Sequence, residues 1–126
     1  MKLNPDLIRD ILLECEDRCT IKQHARFSPN DDGVLNENQY SYEEIHYHLR
    51  QCNMSGYFSR ATEDFSGNFW VKDLTPKAHE FLADIRQESI WNQTKAVGKK
   101  LGVSSLTALL QIAQKVVEQA ILSYFQ

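Results

Sequence analysis

The sequence is poor in the features that announce a chemistry. It has no unbroken apolar run of the ~20 residues a membrane-spanning helix needs. Its opening stretch, MKLNPDLIRD, lacks the continuous apolar segment of a signal peptide. A cytosolic protein with no membrane partner is therefore expected. Cysteine is scarce: Cys15, Cys19 and Cys52 form an odd set without a CxxC pair, which fits reduced thiols packed as small apolar residues. No GxSxG, P-loop or GxGxxG run is present, and nothing in the sequence pairs a serine with a histidine and an acid. The expectation is a protein that is not an enzyme, with no catalytic residues, no metal and no cofactor. An excess of positive charge is lacking too. The net charge of −3 argues against strong indiscriminate nucleic-acid binding, but a local basic face matters more than the total.

What is present suits one globular domain with a short helical appendage: 126 residues, 42% hydrophobic and 25% charged. Residues 4–18 predict an opening helix. Asn4 is a good N-cap, Pro5 takes the first helical position, and Ile8, Ile11, Leu12 and Cys15 recur at helical spacing. Residues 20–27, TIKQHARF, alternate. Ile21, Gln23, Ala25 and Phe27 are expected to point inward, with Lys22, His24 and Arg26 outward on a short strand. Those charges serve either phosphate contact or a solvated strand edge that discourages aggregation, and charged edges are common. Residues 28–39, SPNDDGVLNENQ, are rich in turn formers and predict a loop without the closing acid of a calcium site.

The middle of the chain organises the rest. Ser41 and Glu44 make a capping box for a helix over 41–52. Tyr42, Ile45, Leu49 and Cys52 lie on one face of it, and Glu43, His46, Tyr47 and Arg50 mostly on the other. His48 is expected at the core edge with one ring nitrogen bonded. Gly56 ends the helix, and Tyr57 and Phe58 begin a strand. Residues 63–68, EDFSGN, form a tip, and Phe69 to Asp73 return. Thr75 and Pro76 then start a helix with Ala78, Phe81, Leu82 and Ile85 inward. Ser89 is expected to cap a continuation, or a kinked second helix, through Leu101, with Ile90, Thr94, Val97 and Leu101 as its inner face and Gly102 closing it. A last helix runs from Ser104 or Ser105 to about Tyr124. Its seam of Leu106, Leu110, Ala113, Val117, Ala120 and Tyr124 is wide enough to pack within the chain or against a second copy in a homodimer.

Three phrases carry a resemblance: YSYEEIHYHL at 40–49, VKDLTPKAHEFLADIR at 71–86 and IWNQTKAVGKKLG at 90–102. They resemble a family of small uncharacterised bacterial and prophage-encoded proteins, classified as a domain of unknown function. The resemblance implies a winged-helix-like core and a helical tail, and no established activity. More loosely, His48-Leu49, Gly56 and LTPKAHEFL at 74–82 are similar to the reading helix and wing of winged-helix regulators. The helix that should precede the reading helix would occupy 28–39, a stretch that predicts loop.

The expected fold is α+β and mainly helical: a winged-helix-like domain over 1–88, with a small antiparallel hairpin as wing, and a helical extension over 89–126. Two functions follow. In the first, a phage-associated regulator binds double-stranded DNA through Lys22, His24, Arg26, His46, Tyr47, Arg50, Arg60 and Lys72, groups that suit phosphate or base-edge contact. Glu43, Glu44, Glu63 and Asp64 have the wrong sign for this. In the second, the chain is a protein-interaction module that docks a host protein without touching DNA. Trp70 and Trp91 are expected in the core or an interface.

Overall fold

The computed structural model describes residues 1–30, 35 and 40–126. Among these are five helices and a small antiparallel sheet, an α+β fold that is mainly helical. The chain divides into two compact units, residues 1–79 and 80–126.

The first unit opens with α1, Pro5–Arg18. The Asn4 side chain accepts the Asp6 N–H, so the cap forms as its residue type dictates. Leu7, Ile8, Ile11, Leu12 and Cys15 are buried. Strand β1, Ala25–Phe27, is shorter than the alternation suggests. Thr20 and Gln23 bond each other's backbone in a turn, and the Thr20 hydroxyl accepts the Lys22 and Gln23 N–H groups. That local competition for the backbone keeps Lys22 out of the strand. It also leaves Ile21 exposed, against the expected inward position. The loop expected over 28–39 falls largely on residues outside those described; Leu35 is buried.

Helix α2, Tyr42–Met54, carries the full capping box between Ser41 and Glu44. Ile45, His48, Leu49 and Cys52 face inward. His48 is tied at both ring nitrogens: Nε2 accepts the Asn4 N–H at 2.8 Å and Nδ1 donates to the Glu44 carbonyl at 2.7 Å. The buried ring thus fastens the start of α1 to α2, where one bonded nitrogen was expected. Strands β2, Ala61–Glu63, and β3, Phe69–Val71, form the hairpin. The strand order is β1-β3-β2. Cross-strand rows align Ala25, Val71 and Ala61, then Arg26, Trp70 and Thr62, then Phe27, Phe69 and Glu63. Phe27, Phe69, Ala25 and Val71 are buried, so one face of the sheet covers the core.

Helix α3, Pro76–Ile85, starts where expected, with the Thr75 hydroxyl accepting the Ala78 N–H. Ala78, Phe81, Leu82 and Ile85 are all buried. In the second unit, helix α4, Glu88–Leu101, is preceded by Gln87, which gives no side-chain cap; Ser89 lies inside the helix. Its buried residues are Trp91, Thr94 and Gly98, whereas Val97 and Leu101 are exposed. The inner face is therefore rotated from the one expected. Gly98 explains the rotation, because a Cβ there would stand 3.0 Å from the Val103 carbonyl oxygen and 3.4 Å from Leu109. Gly102 closes the helix with φ at 71°, a conformation suited to glycine. Helix α5, Leu106–Tyr124, is capped by Ser105 and packs on α4, with Leu109 close to Gly98 and Leu106, Leu109 and Ala113 buried.

Candidate nucleic-acid interface

The sheet turns its second face to solvent, and there the strand register gathers charge. Arg26, Trp70 and Thr62 form one row across the three strands. The ladder continues past the strand ends, since the Lys72 N–H bonds the Arg60 carbonyl at 2.9 Å. One step further along the same face, His24, Lys72 and Arg60 therefore form a second row. Among the described residues, His24, Arg60, Thr62, Trp70 and Lys72 line a cavity of about 370 Å³. Arg26 sits beside it and donates to Asn68 Oδ1 at 3.3 Å. None of the ion pairs found among the described residues engages Arg26, Arg60 or Lys72.

The acids of the hairpin are occupied elsewhere. Glu63 accepts from Arg50 Nη2 at 2.8 Å and from His46 Nε2 at 2.6 Å. The Arg50 bond holds the Glu63 carboxyl below its ordinary range against a counteracting burial effect, with His46 adding to the same direction. Asp64 shapes the tip. One carboxylate oxygen accepts the Ser66 and Asn68 backbone N–H groups, each at 2.9 Å, and the other accepts the Asn68 amide. These bonds, led by the Asn68 side chain, hold Asp64 below its usual range as well. Gly67, with φ at 84°, completes the turn. Asp73 turns its carboxylate onto the Leu74 N–H at 2.8 Å.

The helix and the sheet thus separate the residues proposed for DNA. His46 and Arg50 on α2 clamp Glu63 on β2. The Tyr42 hydroxyl donates toward the Phe27 and Gly67 carbonyls, so the N-terminal part of α2 also rests on the sheet. Tyr47 is half-buried with its ring edge-on to His48. Lys22 is exposed in the turn before β1. His24, Arg26, Arg60 and Lys72 come together on the sheet face. Two aromatic residues go beyond the sequence reading. Of the two tryptophans expected in the core or an interface, Trp70 is half-buried in the middle of that face and Trp91 is buried in the core. Phe65 is fully exposed at the hairpin tip. The alternation FWV placed Trp70 opposite to Phe69 and Val71, which was the available signal.

In the second unit, Leu106 and Ala113 are buried, Leu110 and Val117 are half-buried, and Ala120 and Tyr124 are exposed. Beside them lies an open apolar groove of about 840 Å³, with Val97, Leu101, Val103, Ile112 and Val116 among its lining. No described helix is long and apolar enough to cross a membrane.

Comparison with known proteins places the chain in a family. The model of the family described as "Hypothetical protein (DUF2513)" matches residues 2–104. The chain belongs to the DUF2513 family. A relative in Haemophilus influenzae, described as "Uncharacterized protein", is 32% identical over 124 residues, covering 94% of this chain and 98% of the relative. No solved structure matches.

Proposed function

We propose that this DUF2513 protein binds nucleic acid, on a winged-helix-like core, through the outer face of its sheet and not through α2. The carrying observation is the grouping of His24, Arg26, Arg60 and Lys72 around Trp70 on one solvent-facing surface. Three permanent cations and a histidine there suit phosphate neutralisation despite the acidic total. The strand order β1-β3-β2 and the position of α2 directly before the hairpin support the winged-helix reading. The internal pairing of His46 and Arg50 with Glu63 makes α2 a brace for the wing. The Glu63 and Asp64 charges, which oppose phosphate contact on paper, are engaged by Arg50 and His46 of α2 and by Ser66 and Asn68 of the hairpin tip respectively. The resemblance to bacterial and prophage-encoded proteins implies no activity of its own, and a regulatory role in such a setting is part of this proposal. Titration of a labelled oligonucleotide at several salt concentrations tests the proposal. Affinity should fall steeply with salt, and the slope of log K against log salt should shrink by about 0.7–0.9 for each phosphate-contacting cation removed. Absence of binding at low salt would refute it.

A second reading has its own observation. Ile121, Leu122, Tyr124 and Phe125 are exposed at the end of α5, and Ile121, Tyr124 and Phe125 line a cavity of about 420 Å³ together with Ile90 and Val117. This surface supports self-association through α5, or docking of a host protein in its place.

A further inference from the structure

We infer that the sheet-face cavity receives a nucleobase stacked on Trp70, so that this surface prefers single-stranded nucleic acid to a duplex. The inference rests on the nucleic-acid reading above and specifies its ligand. Its basis is the placement of one aromatic ring among cations. Trp70 lies on the central strand, with Arg26 opposite it on one side and Thr62 on the other. Lys72 follows on the same face, flanked by His24 and Arg60. The cavity of about 370 Å³ falls at the lower end of the ~300–1,000 Å³ typical of small-ligand sites. It offers an indole surface and polar groups at His24 and Thr62, within a rim of positive charge.

That combination matches the two parts of an unpaired nucleotide. The base presents a π-face to the indole, and its phosphates meet Arg60, Lys72 and Arg26. In a duplex the base faces are already stacked on one another. Duplex phosphates can meet the cations, but the indole in its recess gains nothing unless base pairs are opened, which costs free energy. The duplex-reading geometry also wants a helix free to enter the major groove. Here α2 is bound to the sheet by Tyr42 and to the hairpin by the contacts of Arg50 and His46 with Glu63. Stacking on an aromatic side chain is tolerant of base identity, so weak sequence preference is expected.

The test compares a single-stranded thymidine 12-mer with a mixed-sequence duplex of the same length, at one fixed low salt concentration, read by tryptophan emission and by anisotropy of a labelled strand. The single strand should bind about tenfold or more tightly than the duplex and should quench emission. Trp70→Ala should weaken single-strand binding about tenfold or more. Trp70→Phe should keep most of the affinity while abolishing the quench, because the phenyl ring still stacks and the buried Trp91 does not report. Should Trp70→Ala fail to fold, the Trp70→Phe and wild-type arms still decide. Equal affinity for duplex and single strand would overturn the inference and leave nucleic-acid binding standing. So would single-strand binding without any change in emission. No binding of either oligonucleotide would remove both.

Discussion

Glu63 holds two side chains of α2 at once, the Arg50 guanidinium and the His46 ring. Its carboxyl is lowered mainly by Arg50, so its folded pKa lies below its unfolded one. A group shifted down contributes stability that is complete above the unfolded carboxylate range and is lost as pH falls through the folded value. Glu63→Gln should therefore lower the urea midpoint at neutral pH, and the gap to wild type should close in acid, below the ordinary carboxylate range. An equal gap at all pH values would assign the effect to shape and not to charge. A second residue is distinguished by its thiol. Cys19 is half-buried, and a hydrogen bond from Cys15 pulls its pKa down to about 7 against partial burial. Burial alone pushes the Cys52 thiol well up, while the Cys15 thiol is raised first by its bond to Cys19 and then by burial. Iodoacetamide at pH 7–8 should thus label Cys19 first in the folded protein, with Cys15 and Cys52 reacting only on unfolding. Peptide mapping by mass spectrometry reads the order, and simultaneous labelling would contradict it.

At the level of elements, the helices that start on local signals were the legible ones. Asn4 with Pro5, Ser41 with Glu44, and Thr75 with Pro76 are neighbours in sequence, so their geometry is written in a few adjacent residues. The sheet face was not legible in that way. His24, Arg60 and Lys72 meet only because β1 pairs with β3 and β3 with β2, and no local pattern states that order. Ile21 failed the alternation because the Thr20 hydroxyl draws the backbone into a turn. Helix α4 was misaligned for a related reason. A hydrophobic stripe counts side chains, and Gly98 contributes none, yet its bareness is what lets α5 and the Val103 carbonyl come close. Gly98→Val should force those groups apart and lower stability by about 2 kcal/mol or more, the scale of overpacking in a core. Chemical denaturation checks this. A neutral result would mean the loop at Val103 yields freely.

For the whole molecule, the two units suggest two surfaces with different partners. The exposed apolar end of α5 predicts self-association, and Ile121→Asp, at a position 53% exposed, should give a monomer without unfolding the chain. Light scattering at high concentration decides; a wild-type monomer would leave the exposed end of α5 without a second copy to cover it. The basic sheet face is the central claim, and it separates from the α2 reading in one experiment. Binding of a single-stranded oligonucleotide is measured across a salt series for wild type, for Arg60→Ala with Lys72→Ala, and for Arg50→Ala. The double variant should lose about tenfold or more in affinity at low salt and show a salt slope shallower by roughly 1.4, the sum expected for two phosphate contacts to a single strand. Arg50→Ala should bind like wild type, since its guanidinium serves Glu63. The opposite pattern, with Arg50 essential and the sheet cations dispensable, would contradict the assignment of the binding surface.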